Sequence, residues 1–257
     1  GSIEAGIVAK GDAFEAIGTS SCLTVAFDEK NTSPYLATAI GLSPDIKIMV
    51  GPMSTTDASY KWCRDALRGR ENDYGTEYIN MENNIQKISP EPTNIIFLPY
   101  MAGERAPIWD SNARGVFFGL SLATTEAHLM RAVMEGTSFA LRDNIEVAKS
   151  SGVKMEKLRA VGGGCASDLW LKIKASVINM PVEVPNVTFG APAGTALMTV
   201  LTTGEYNSVQ EAIDDCVKID KVVQPIPEWV EYYDKMYPIF KSVYNHTKED
   251  FVQLSKL

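Results

Sequence analysis

The sequence predicts an α/β domain in which a mixed sheet is flanked by helices. Short β-prone runs fill the first fifty residues, a helical stretch follows, and strands and helices then alternate. Antiparallel strands followed by such alternation are typical of a mixed sheet, not of a purely parallel one. The 257 residues, 45% hydrophobic and 22% charged, suffice for one large domain or two small ones.

The first part of the chain contains five predicted strands separated by turn residues. Glycine, asparagine, proline, aspartate and serine between the runs supply the turn chemistry. The five β-prone runs are residues 7–9, 13–17, 22–27, 36–40 and 47–50.

Helical periodicity and end signals predict the rest. Residues 69–93, which contain Pro90 and Pro92, are predicted to form only a short helix and a loop. Pro238 is expected to kink or break the last helix. The other predicted elements are helix 56–67, strand 95–99, helix 124–149, strand 158–161, helix 168–178, strand 182–184, helix 193–203, a helix opened by a capping box at Ser208 and a last helix from Pro227.

Composition and charge exclude several classes. A net charge of −8 without any long basic block disfavours nucleic-acid binding. The apolar runs are far shorter than the roughly 18–20 residues of a membrane span, and the N-terminus lacks signal-peptide features, so we expect a cytoplasmic protein. The potential soft metal ligands are too scattered to predict a metal site: Cys22, Cys63, Cys165, Cys216, His128 and His246.

The first glycine-rich loop is Gly18-Thr19-Ser20, between two predicted strands. Glycine allows a ligand to approach the backbone, and the hydroxyls can donate to a phosphate. An ordinary hairpin is the alternative. The loop is not a Walker A sequence, because no lysine follows the glycine.

The second glycine-rich loop, residues 162–168, lies between a strand and a helix. Three consecutive glycines there permit backbone contact with a flat or anionic ligand at a helix N-terminus. Ser167 is equally well explained as the N-cap of that helix. The spacing of a dinucleotide-binding loop is absent, which disfavours an NAD oxidoreductase.

Two more loops combine glycine with other notable residues. The segment 99–115 contains G-E-R-A-P-I-W-D and then A-R-G, and such charge after a buried strand predicts the lining of a cleft. The small residues within 189–196 more often indicate close helix packing than ligand binding.

Taken together, the loops resemble the C-terminal, nucleotide-binding half of the FGGY carbohydrate kinases. The resemblance runs from Ile3 to about Gly204 and includes R-A-V-x-E-G at 131–136, G-G-G-x-x-S-x-L-W from Gly162 and G-A-x-x-G-x-A from Gly190. It implies an actin-like, ribonuclease H-like ATPase fold. It also implies that ATP and Mg²⁺ bind this half, while the sugar binds mainly the preceding half.

The resemblance implies seven nucleotide-binding positions in this chain. The phosphate-binding residues are Gly18, Thr19 and, from the opposite side, Gly103, and those around adenine and ribose are Gly163, Gly164, Ser167 and Asp168.

The family's catalytic aspartate precedes a stretch that matches residues 2–6. The base is therefore expected upstream of residue 1, no catalytic residue is assigned here, and Glu4 is not a replacement. Residues 1–257 are expected to be the C-terminal ATP-binding domain of a kinase about twice as long, inactive without its sugar-binding half. Xylulose or a related pentulose is the expected substrate. One alternative is a kinase that acts on gluconate or on another polyol or sugar acid. The other is a non-catalytic actin-like nucleotide-binding module. A homodimer is a candidate assembly.

Overall fold

A computed structural model describes most of the chain. Residues 1, 3, 4, 8, 28–31, 42–45, 70–73, 187–194, 197, 198, 200–202 and 207 lie outside the description, as do the side chains of residues 74–78 and 209. The described residues form nine strands and six α-helices, arranged around one main sheet.

The strands and helices are numbered here in chain order. The strands are β1 (Ala13–Ile17), β2 (Ser21–Phe27), β3 (Ala37–Ile40), β4 (Lys47–Met53), β5 (Ile96–Leu98), β6 (Val116–Phe118), β7 (Leu158–Val161), β8 (Val182–Pro185) and β9 (Ile219–Val223). The helices are α1 (Asp57–Arg68), α2 (Tyr74–Ile88), α3 (Glu126–Ser150), α4 (Asp168–Ile178), α5 (Val209–Cys216) and α6 (Pro227–Leu254).

Seven strands form a mixed sheet in the order β3-β4-β2-β1-β7-β8-β9. Strand β1 runs parallel to β7, and β7 runs parallel to β8. The remaining neighbours are antiparallel, and β5 and β6 form a separate antiparallel pair. The predicted mixed sheet flanked by helices is confirmed.

The central strand β1 sends alternate side chains to two hydrophobic clusters. Ala13 and Ile17 belong to the main core, which also contains most of the apolar side chains of α3 and α4. Phe14 points to a smaller cluster on the opposite face, together with Val161. This period-2 alternation is what the local sequence of β1 predicts.

Several predicted elements differ from the structure. In the predicted strand 7–9, the described residues Ile7 and Ala9 are not part of a strand; Ile7 N donates to Ser2 O at 2.8 Å, and Ala9 O accepts from Asp12 N at 3.1 Å. Strands β6 and β9 were not predicted. Strand β6 has only three residues, all apolar, and β9 has two charged residues among five, so neither gives a clear alternating pattern. The predicted helix 193–203 lies largely outside the described residues.

Two helices are longer or less interrupted than expected. Segment 69–93 contains α2, a helix of 15 residues, because its prolines lie beyond the helix end. Helix α6 continues through Pro238 without a break. Since the buried side chains of Tyr233 and Phe240 flank that proline, core packing on both sides holds the helical path that the local sequence disfavours.

Candidate functional site

The two predicted glycine loops adjoin at one edge of the sheet. Strands β1 and β7 are parallel neighbours, with Ala16 opposite Val161, so their carboxyl ends lie side by side. A Cβ added at Gly162 or Gly164 would overlap atoms of Ile17, and Gly162 has a φ of 100°. Only glycine therefore permits this close approach of the second loop to β1.

A pocket of about 510 Å³ opens where these loops meet. Of the predicted site residues, Gly18, Gly163, Gly164 and Ser167 line it. The structure thus brings together residues that lie about 145 positions apart in the sequence. A pocket of this size is within the range of small-molecule and cofactor sites.

Six pocket residues come from helices and were missed by sequence reasoning: Asp57, Tyr60, Ile79, Glu82, Met134 and Trp170. The rings of Tyr60 and Trp170 lie 5.4 Å apart between centroids. Ile79 adds an apolar side chain that is 64% exposed. These three residues form an apolar surface suited to a flat ring.

The Gly18-Thr19-Ser20 turn packs against the start of α1. Gly18 O accepts from Asp57 N at 3.2 Å, and Thr19 O accepts from Thr56 N and Ala58 N at 3.1 Å each. The carbonyls of the turn thereby satisfy amides that a helix start otherwise leaves open. The Thr19 side chain is exposed, and no described residue hydrogen-bonds to its hydroxyl.

The N-terminus of α4 is satisfied by protein groups. Ser167 Oγ accepts from Trp170 N at 3.1 Å, which makes Ser167 the N-cap as well as a pocket residue. Glu82 Oε1 accepts from Leu169 N at 2.9 Å. Asp168 does not line the pocket; its carboxylate pairs with Lys221 of β9.

Gly103 lies away from the pocket, inside the loop 99–115. It is buried with a φ of 72°, and an added Cβ would lie 2.9 Å from Ser111 O. Its position is therefore explained by a tight turn within the loop. The structure does not bring Gly103 to the residues that line the pocket.

The buried Glu104 fastens this loop to the segment between β4 and α1. Its Oε1 accepts from Ser54 N and from Arg105 N, each at 2.7 Å. The Arg105 guanidinium donates to Met53 O at 2.8 Å. Burial raises the pKa of Glu104 to about 7, although the backbone N–H groups of Arg105 and Ser54 oppose the rise.

Asp57 is a pocket carboxylate that adjoins the glycine turn. It begins α1 and is bonded through its backbone to Gly18. Burial raises the pKa of Asp57, while Lys61 and Arg64 lower it by a smaller amount. A cation beside this side chain would favour its ionised form.

The motif at 131–136 lies in the buried core, and its Met134 also lines the pocket. Arg131 and Glu135 are fully buried and form an ion pair at 2.9 Å. Thr93 Oγ1 and Tyr233 OH also donate to Glu135, at 2.5 and 3.0 Å. A Cβ on Gly136 would overlap the carbonyl of Phe97, so these residues hold α3 in place.

The described parts of the chain include no membrane-spanning helix and no metal cluster. None of the helices there is long and apolar enough to cross a membrane. No group of three or more His, Cys, Asp or Glu side chains among those residues could hold a metal ion. The four cysteines are free thiols.

A mixed sheet with parallel central strands, and a glycine-lined pocket at their carboxyl ends, define an α/β protein of the actin-like ATPase class. The family model described as "FGGY family of carbohydrate kinases, C-terminal domain" matches residues 15–202 of this chain. The chain therefore belongs to the FGGY family of carbohydrate kinases.

Individual relatives support this assignment. The xylulose kinase of Staphylococcus epidermidis is 28% identical over 251 residues, which are 97% of this chain and 50% of that protein. The gluconokinase of Bacillus subtilis is 24% identical over 255 residues, 96% of this chain and 50% of that protein. The ligand-bound xylulose kinase structure from Lactobacillus acidophilus matches with a TM-score of 0.84 and 25% identity, covering 98% of this chain and 51% of that one. The chain thus spans about half the length of these relatives.

Proposed function

We propose that this chain is the C-terminal, ATP-binding half of an ATP-dependent carbohydrate kinase. Such an enzyme transfers the γ-phosphate of ATP to a sugar hydroxyl. The observation that carries the proposal is the pocket at the adjoining ends of β1 and β7, where Gly18 faces Gly163 and Gly164. Family membership supplies the reaction type.

The two ends of the pocket suit the two ends of a nucleotide. The Tyr60 and Trp170 rings and Ile79 form the apolar surface on which a base can stack. The Gly18 turn, with the Thr19 hydroxyl beside it, offers a polar donor to phosphate oxygens. Gly163, Gly164 and Ser167 lie between helix α4 and β1, and we assign them to the base and ribose.

The residues present also fit a Mg²⁺ ion carried by the nucleotide. Mg²⁺ keeps several waters and is held by phosphates and one or two carboxylates, so a complete protein cage is not required. Asp57 is the carboxylate beside the turn. When bound, the ion neutralises charge on the phosphates.

Within this proposal the chain binds and orients ATP and contributes no catalytic base. Phosphoryl transfer depends mainly on positioning and charge stabilisation, which backbone donors and hydroxyls can provide. We assign the base and the sugar contacts to the other half of the kinase. Thr19 would donate to a phosphate oxygen, and Asp168 and Gly103 would act only through neighbouring loop structure.

Xylulose or a related pentulose is the proposed sugar. Xylulose kinases are among the most similar relatives, at up to 28% identity over 97% of the chain. Gluconate is the second candidate, supported by the gluconokinase relative.

A thermal-shift and calorimetric titration with ADP or ATP and Mg²⁺ tests the nucleotide site. A ligand that binds only the folded state raises the free energy of unfolding by RT ln(1 + [L]/Kd). We expect a higher melting temperature at millimolar nucleotide. Ile79→Asp should weaken binding at least about threefold, because it places a charge on the base surface. Ile88→Asp, also exposed on α2 but outside the pocket lining, is the matched control. An unchanged melting temperature in the unmodified chain contradicts the proposal.

A further inference from the structure

Glu82 connects α2 to the first turn of α4. Its Oε1 accepts from Leu169 N at 2.9 Å, across 87 positions of sequence, and from Gln86 Nε2 at 3.4 Å. The same side chain lines the pocket. Nothing in the sequence of α2 marks this residue, because its partner lies on another element.

This carboxylate makes the α4 end of the pocket unfavourable for phosphates. Three amides of the first turn are already bonded: Leu169 N to Glu82, Trp170 N to Ser167 Oγ, and Leu171 N to Ser167 O. A phosphate there would find these donors occupied and a negative charge beside them. The base end of a bound nucleotide is therefore the end that lies near α4.

The second oxygen of Glu82 remains available to a ligand. Both hydrogen bonds to its carboxylate end at Oε1, and no donor among the described residues bonds to Oε2. The neighbouring pocket surface is apolar and aromatic, from Ile79 and Trp170. A flat ring that carries an amino group at its edge matches this combination, because a carboxylate accepts from N–H and repels a carbonyl oxygen.

We propose that Glu82 is a specificity-determining residue that selects 6-aminopurine over 6-oxopurine nucleotides. Its Oε2 accepts from the amino group of the base, while the phosphates extend towards the Gly18 turn. This inference rests on the proposed nucleotide-binding function. Beyond that function, the inference names Glu82 as the residue, and its Oε2 as the atom, that determine which base the pocket prefers.

The test compares ADP with inosine diphosphate, which carries an oxygen in place of the 6-amino group. Affinities are measured by titration calorimetry with Mg²⁺ on the full chain. We expect the unmodified chain to bind ADP at least roughly tenfold more tightly, since a lost hydrogen bond and an unfavourable carbonyl both act against the oxo base.

Glu82→Gln separates base selection from the structural bond to α4. The amide oxygen can still accept from Leu169 N, while the amide nitrogen faces the pocket as a donor. We expect a melting temperature close to that of the unmodified chain and a preference for ADP that falls to about threefold or reverses. Glu156→Gln, which removes an exposed carboxylate outside the pocket lining, should retain the preference.

The outcomes distinguish the inference from the function on which it rests. If the unmodified chain binds ADP and inosine diphosphate equally, or if Glu82→Gln keeps the full preference for ADP, the role of Glu82 is wrong while the nucleotide site stands. If neither nucleotide binds, the nucleotide site itself is wrong, and the inference falls with it.

Discussion

Thr19 follows the pocket residue Gly18 and is not itself among the lining residues, and no described residue hydrogen-bonds to its hydroxyl. Its carbonyl is committed to the start of α1, whereas its side chain is exposed. The same residue thus has a structural backbone role and a free donor. Removing only the hydroxyl should therefore weaken nucleotide binding and leave the free energy of unfolding almost unchanged.

Thr19→Val should weaken ADP or ATP binding about 10–150-fold. A hydrogen bond to a charged group contributes roughly 1.5–3 kcal/mol, and this hydroxyl has no described protein partner to lose. Titration calorimetry measures the loss, and urea denaturation should show a free energy of unfolding within about 0.5 kcal/mol of the original. Thr38→Val, at an exposed threonine of β3, is the matched control. Unchanged affinity would mean that the turn is an ordinary hairpin.

Glu104 gives the fold a pH dependence with a defined sign. Its pKa is raised from 4.5 to about 7 by burial, so the folded state holds its proton at pH values where the unfolded state has released it. Stability from this group is present below about pH 4.5 and is lost as the pH rises towards 7.

Glu104→Gln should remove that part of the pH dependence. The difference in unfolding free energy between the two proteins should change by at most about 1.4 kcal/mol per pH unit between pH 4.5 and 7 and stay level above pH 7. Urea denaturation at a series of pH values measures it, with Glu156→Gln as the exposed control. A parallel pair of pH profiles for Glu104→Gln and the original chain would contradict the assignment.

At the scale of elements, a buried ion pair joins the strand and the helix that carry the two glycine loops. Lys174 of α4 lies 2.8 Å from Glu15 of β1, and both side chains are almost completely buried. Both charged residues lie on the same face of their element as a pocket residue. Glu15 lies two positions before Ile17 on the strand, and Lys174 lies about one helical turn, four positions, after Trp170. The pair therefore couples the loops through the elements that position them.

Lys174→Met should lower the free energy of unfolding by about 3–5 kcal/mol, because it leaves a buried carboxylate without its partner. Adding Glu15→Leu should recover much of that loss, since an apolar pair needs no charge compensation. Urea denaturation of both single variants and the double variant gives the coupling energy. Additive losses would show that the two charges do not interact across β1 and α4.

At the scale of the whole molecule, the chain contains the pocket proposed to bind the nucleotide and covers half the length of the relatives compared above. A kinase reaction also needs an acceptor hydroxyl held in line with the transferred phosphate. Such positioning of two reactants is worth roughly 7–11 kcal/mol. Under the proposed function, the residues that hold the acceptor belong to the other half of the kinase, so the isolated chain lacks this positioning.

The isolated chain should therefore show no sugar-dependent release of ADP. A coupled assay with xylulose, ribulose, gluconate and glycerol measures it, with a longer protein that includes the sugar-binding half as the positive control. Turnover by the isolated chain that depends on a sugar would overturn the division of roles, and would require a search for a base among Asp57, Glu104 and Asp110.

Local sequence determined the elements that carry the predicted site. The bounds of β1, β7 and α4 coincide with the predicted runs 13–17, 158–161 and 168–178. Alternation of side chains, glycine turns and a serine N-cap are encoded within a few neighbouring residues, so they can be predicted without knowledge of the fold.

The tertiary structure alone decided which residues share the pocket. Tyr60, Ile79 and Glu82 come from α1 and α2, while Gly103, from a motif of the same family, lies elsewhere in a tight turn. The same holds for Arg131 and Glu135, whose motif is a buried ion pair. Contacts such as that of Glu82 with Leu169 join positions 87 residues apart, and they form only when sheet order and helix packing bring those positions together.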